Sequence, residues 1–234
     1  MVTLTHVWKT YQRGDHYVHA LRDVSVHVAK GQCCVLMGPS GSGKSTFLHV
    51  IAGLETVTTG DLWIEGVSTK NFSDLEWTRL RRDVVGMVFQ AFHLLPGLTA
   101  AENVGLPLQL KGLPRRMIRE RVQWALEAVG MGHRAHHRPS ELSGGEQQRV
   151  AIARAIVHGP RLVLADEPTG NLDSCNAEAI MTLLRTVTQG QGQTLIVATH
   201  SPAAASLADH LYLMADGSLH QATSTISRCD LAYE

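Results

Sequence analysis

Two segments of this chain have residue types spaced to handle phosphate. The first, "GPSGSGKST" from Gly38 to Thr46, fits G-x-x-x-x-G-K-[S/T] and lies between an apolar run, Gln32 to Met37, and the helix-like "STFLHVIAGL". Gly38, Gly41 and Gly43 let the backbone curl, with Pro39, Ser40 and Ser42 between them, so that N–H groups face phosphate oxygens. A helix starting near Lys44 adds the positive end of its dipole. Lys44 then reaches the β- and γ-phosphates of a nucleotide, Ser45 offers a hydroxyl to Mg²⁺, and Thr46 bonds a phosphate oxygen. A glycine-rich turn with a chance lysine is the plain alternative, and the strand–loop–helix setting argues against it.

"RLVLADEP" supplies acid groups for such a loop: an apolar strand ends in Asp166 and Glu167. Asp166 is expected to hold the Mg²⁺ shell through water, and Glu167 to polarise the water that attacks the γ-phosphate. An acidic pair at a strand end is often a helix cap, but "PTGNLD" follows here and does not begin a helix at once. The second phosphate-handling segment, "ELSGGEQQR", has no lysine and does not follow a strand. Ser143, Gly144 and Gly145 instead cap the helix "EQQRVAIARAIV", leaving N–H groups, a hydroxyl and a positive helix end suited to a γ-phosphate.

The elements that must position these groups alternate β-branched apolar runs with helix-like segments, an α/β pattern around a central sheet. "LTHVW" and "VSVHV" read as antiparallel strands ahead of the loop, and "DLWIEG", "VVGMVF", "RLVLADEP" and "TLIVATH" as further strands. From Ala91 to Pro139 the texture changes. There "LPRRMIRERVQWALEAVGM" puts Ile118, Val122, Leu126 and Val129 on one helix face, with Pro114 suited to the first turn, so a helical lobe is expected to interrupt the core.

The chain has 234 residues, enough to bury a substantial core as one domain, and its 21 Lys and Arg balance 21 Asp and Glu. That neutrality argues against nucleic acid as the main partner. No apolar run approaches the roughly 20 residues of a spanning helix. "MVTLTHVWKTYQRGD" carries no secretory signal pattern, so a cytoplasmic location is expected. Of four cysteines, Cys33 and Cys34 are adjacent in a strand, point to opposite faces, and read as buried thiols. "GHRAHHRP", with His133, His136 and His137, lacks a spaced acid or cysteine and is not read as a metal site. "RLRRD", Arg79 to Asp83, reads as a solvated helix end.

The order of motifs resembles the ATP-binding cassette (ABC) family over nearly the whole length: the phosphate loop, Gln90 in "MVFQ", "LSGGEQQR", "LVLADEP", "NLD", and His200 in "IVATH". The resemblance implies a P-loop NTPase cassette with a RecA-like core, an antiparallel β subdomain and an inserted helical subdomain. One ABC ATPase domain is expected over 1–234, with core and β subdomain in 1–90 and 141–234 and the helical subdomain in 91–140. It further implies ATP hydrolysis with Mg²⁺ and a homodimer in which the Ser143–Gly145 signature of each chain closes on the ATP of the other. By the same resemblance Gln90 reaches the metal and the attacking water. His200 touches the γ-phosphate and orients Glu167, and Asp173 lies at the dimer seam. An aromatic, Tyr11 or in its place Tyr17, stacks on adenine.

"EPTGNLD" with "FHLLPGLTAAENV" is similar to lipoprotein-releasing (LolD-like), macrolide-export (MacB-like) and cell-division (FtsE-like) cassettes. Importers of amino acids more often have serine and alanine where Gly170 and Asn171 stand. The implied partner is an FtsX/MacB-like permease, docked near Phe92, Leu94 and Leu95, which holds this chain at the cytoplasmic face of the inner membrane. Export or extraction of substrate is the implied function. An FtsE-like signalling ATPase or an importer ATPase is the alternative.

Overall fold

The structure, a computed structural model, describes residues 1–222; the polar last dozen residues and the side chains of Arg13, Ser174, Cys175 and Ala203 lie outside the described part. Two sheets form the frame. Strands β1 (Val2–Arg13), β2 (His16–Val28), β4 (Thr59–Ile64) and β5 (Val67–Ser68) make an antiparallel sheet in the order β2-β1-β4-β5. The second sheet has the order β10-β9-β3-β8-β7-β6, from β3 (Cys33–Met37), β6 (Val85–Phe89), β7 (Leu162–Asp166), β8 (Thr194–Thr199), β9 (His210–Ala215) and β10 (Ser218–Gln221). All of its pairings are parallel except that of β10 with β9. The expected α/β arrangement with an antiparallel sheet ahead of the phosphate loop is therefore observed.

Alternation along β3 divides the core. Cys33, Val35 and Met37 join one apolar cluster with helices α3 (Ala100–Leu110), α4 (Arg115–Ala128), α5 (Gly144–Ile156) and α6 (Ser174–Gly190). Cys34 and Leu36 join the other, with α1 (Lys44–Ile51) and the inner face of the antiparallel sheet. Burial moves the Cys33 thiol up to about 11 and that of Cys34 to about 12, so both stay protonated and inert. Phe47, Leu48 and Ile51 on α1 are fully buried, each contributing about 1.5–3 kcal/mol of transfer free energy.

Of helix α2 (Asp74–Asp83) only the basic end was expected, and α3 has no counterpart among the expected elements. Their local signal is present all the same. Ser73–Glu76 and Thr99–Glu102 form capping boxes at their starts, the arrangement that Ser143–Glu146 makes at α5. Helix α4 buries Val122 and Leu126 as its period requires, but it starts at Arg115, so Pro114 stands at the cap rather than in the first turn. The basic run of Arg79 to Asp83 ends α2, which buries none of its residues. His137 accepts a hydrogen bond from Arg134 (2.9 Å).

His158, in the turn that closes α5, is 7% exposed; its Nε2–H donates to the Val85 carbonyl (3.2 Å). Burial, reinforced by Lys111, lowers its pKa from 6.5 to about 4. The unfolded chain therefore takes up the proton first, and stability present above pH 6.5 is lost as pH falls toward 4. Urea unfolding at pH 7 and pH 5 should show a loss of up to about 2 kcal/mol from this group, absent in His158→Gln.

Candidate functional site

Parallel pairing brings the expected groups to one edge. The register sets Met37 beside Thr199, Ala198 beside Asp166, and Asp166 beside Phe89. The residues that leave these strand ends are Gly38, His200, Glu167 and Gln90, and ligands of open α/β sheets bind at such carboxyl ends.

The loop after β3 is held by close backbone approach. A Cβ on Gly38 would fall 2.1 Å from the Met214 carbonyl oxygen, and one on Gly43 would fall 2.3 Å from that of Ala20. Gly41 and Gly43 also take left-handed φ of 80° and 110°, whereas Gly38 is needed for space alone. The β9–β10 turn braces the loop: Gly217 donates its N–H to the Ser42 carbonyl (3.0 Å) and accepts from Arg22 (2.8 Å).

Above the loop lies a cleft of about 820 Å³. Ser40, Gly41, Gly43, Lys44, Ser45 and Thr46 line it with Gln90, Glu167 and His200. Gly38, Pro39 and Ser42 do not; the Ser42 side chain is buried under the loop. Lys44 Nζ donates to the carbonyls of Gly38 (2.8 Å) and Pro39 (2.9 Å) and stands 3.6 Å from Glu167 Oε1. Ser45 donates to Asp166 Oδ1 (2.9 Å), and burial raises the Asp166 pKa against that bond. A serine hydroxyl beside a desolvated carboxylate is an oxygen-donor pair that fits a hard cation such as Mg²⁺. Glu167, at φ 44°, turns out of the strand and accepts from His200 Nδ1 (3.0 Å) and the His200 N–H (3.3 Å).

Ser143, Gly144, Gly145 and Asp173 are not brought into this cleft. Ser143 caps α5 and accepts from the Glu146 N–H, while Asp173 caps α6. The start of α5 thus lies outside the cleft above this chain's own phosphate loop. Neither Tyr11 nor Tyr17 is among the lining residues. Tyr11 lies across from Val18, a lining residue, and so shares its sheet face; Tyr17 pairs with Gln12 and is 65% exposed. The Lys9 ammonium stands 4.8 Å from the Tyr11 ring centroid.

Three contacts were not expected. His49 Nε2 stands 4.0 Å from Asp166 Oδ2, and its place four residues after Ser45 on α1 was the available signal. Arg154 of α5 donates to the carbonyls of Phe92 (2.7 Å) and His93. Asn171 bonds Gln90 at two points. Of the three residues expected at a docking surface, Leu95 is 49% exposed, whereas Leu94 packs on the helical core and Phe92 lies beside Gly144. Phe92 and Leu94 are thus part-buried, and Leu95 is the most exposed of the three.

Residues 21–170 match the family described as ABC transporter. An uncharacterized ABC transporter ATP-binding protein of Thermotoga maritima is 47% identical over 201 residues, 86% of either chain. The uncharacterized ABC transporter ATP-binding protein MJ0796 of Methanocaldococcus jannaschii is 43% identical over 225 residues, 94% of this chain and 96% of its own. The dimeric structure of a post-hydrolysis state of MJ0796, bound to ADP and Pi, matches with a TM-score of 0.88 at 40% identity, over 97% of this chain and 100% of that one. CbiO1 from Clostridium perfringens, part of the ABC transporter complex cbiONQ, matches with a TM-score of 0.84 at 28% identity, over 94% of this chain and 86% of its own. The fold is the P-loop NTPase cassette expected from the sequence.

Because Gly43 has both left-handed φ and a carbonyl at its Cβ position, Gly43→Ala should weaken binding of a fluorescent ATP analogue about tenfold or more. Far-UV circular dichroism should remain that of the parent.

Proposed function

Since this chain belongs to the ABC transporter family, we propose that it is the ATP-hydrolysing subunit of a transporter, working as a homodimer closed head to tail around two ATP. One observation carries this reading. The cleft gathers the phosphate loop, Gln90, Glu167 and His200, yet the Ser143–Gly145 helix start lies outside it. A second copy can bring its own Ser143–Gly145 to the open side. That MJ0796 is dimeric in a post-hydrolysis state bound to ADP and Pi supports a dimer that hydrolyses ATP.

In this reading Lys44 leaves the carbonyls of Gly38 and Pro39 for the β- and γ-phosphates, with the backbone from Gly38 through Pro39, Ser40, Gly41 and Ser42 to Gly43 around them. Thr46 bonds a phosphate oxygen, and Tyr11 stacks on adenine. Ser45 and the Gln90 amide oxygen would hold Mg²⁺, with Asp166 holding its shell through water, and the ion would neutralise charge on the phosphate oxygens. Glu167 takes the proton of the attacking water, and His200 holds Glu167 in place, a base contribution of typically ~10²–10⁴-fold. Ser143, Gly144 and Gly145 of one copy stabilise charge on the other's γ-phosphate, and Asp173 lies at the seam.

We take 1–90 and 141–234 as core with β subdomain and 91–140 as helical subdomain. No helix among the described residues is long and apolar enough to cross a membrane. The proposed partner is a separate FtsX/MacB-like permease, met near Leu95, that holds the chain at the cytoplasmic face of the inner membrane. The similarity of "EPTGNLD" and "FHLLPGLTAAENV" to exporting cassettes supports coupling of hydrolysis to export or extraction of substrate. CbiO1, part of a transporter complex, supports a multi-chain assembly.

The test is Glu167→Gln with excess ATP. Size-exclusion light scattering should report a dimer that persists until ATP is removed. A variant that binds ATP and stays monomeric would contradict the reading.

A further inference from the structure

We propose that Asn171 is the positioning residue that decides which end of the Gln90 amide faces the cleft. Asn171 Nδ2 donates to the Gln90 backbone carbonyl (2.9 Å), and Gln90 Nε2 donates to Asn171 Oδ1 (3.3 Å). The polarity of this pair is fixed by chemistry. A carbonyl can only accept, so the NH₂ end of Asn171 must face it, and the oxygen end must face the Gln90 side chain. That oxygen needs an N–H, which turns the Gln90 nitrogen toward Asn171 and leaves its oxygen for the cleft. An amide oxygen is the end that can ligate a cation or accept from water.

The surroundings hold Gln90 to this contact. A Cβ on Gly170 would fall 2.7 Å from Gln90 Nε2 and 2.9 Å from its Cδ, so the Gln90 side chain lies directly on the Gly170 backbone. On the other side, the chain turns through left-handed Phe92 (φ 54°) and His93 (φ 48°), whose carbonyls Arg154 holds from α5. With the main chain pinned there, the remaining freedom of Gln90 is in its side chain, and Asn171 removes it. Asn171 stands two residues before Asp173, so a shift at the proposed seam would act on Gln90 by a short covalent path.

The inference rests on the ATPase reading, and two measurements separate its failure from that of the reading. In nucleotide-free protein labelled with ¹⁵N-glutamine, the Gln90 side-chain amide signal, identified by its loss in Gln90→Ala, should shift and exchange faster in Asn171→Leu. In Mg-ATPase assays Asn171→Leu should lower kcat about threefold to tenfold, the worth of one or two hydrogen bonds, with ATP affinity unchanged. Gly170→Ala, which displaces Gln90 without touching Asn171, should do the same. Neither change should lower kcat further in a Gln90→Ala background. An unmoved amide signal, an additive loss in that background, or a loss of ATP affinity in place of kcat would overturn the assignment. A parent protein without ATPase activity would count against the ATPase reading alone, since the amide signal still decides the clamp.

Discussion

Two backbone carbonyls set the geometry of this site. The phosphate loop passes between those of Met214 and Ala20, with room for a hydrogen atom and none for a methyl group at Gly38 and Gly43. That wedge ties the loop after β3 to β9 and β2, and the Gly217 bond to Ser42 closes it. Because the loop cannot drift, α1 starts where its first turn presents Ser45 to Asp166 on β7. The first residues of that helix, Lys44, Ser45 and Thr46, line the cleft, which sets its positive end there.

Two adjacent acids stand in different surroundings. Asp166 is still in the strand register beside Ala198 and Phe89, is desolvated, and faces Ser45 and His49. Glu167, one residue on, has turned to a left-handed φ and faces Lys44 and His200. The first environment suits a cation held by oxygen donors, the second a base kept in place by a neighbouring imidazole. A similar division separates the glycine pairs. Gly38 and Gly43 are required by close contact, whereas a Cβ on Gly144 or Gly145 would meet its neighbours, Leu172 and Asn176, at ordinary contact distances of 3.5 and 3.6 Å.

What was legible in the sequence follows from range. Strands β3, β6, β7 and β8 show as short apolar runs because they are buried on both faces, and the helix period of α4 shows because only one face is. The phosphate loop and the acid pair were legible because each is a local pattern with local chemistry. The starts of α2 and α3 were passed over although Ser73–Glu76 and Thr99–Glu102 announce them, and α2, which buries none of its residues, showed only its basic end. The contacts of Asn171 with Gln90 and of Arg154 with Phe92 and His93 were not legible. They join positions 81 and 62 or 61 residues apart, and pairing at that range appears only when the sheet order is known.

The central claim is that each site is completed by the other copy. It is tested most directly by mixing two inactive chains, one with Lys44→Ala and one with Ser143→Arg, and measuring Mg-ATPase. If completion is in trans, random pairing gives half mixed dimers, each with one intact loop facing one intact signature, and activity returns to about a quarter of the parent value. Activity that stays at the average of the two separate variants would contradict the account.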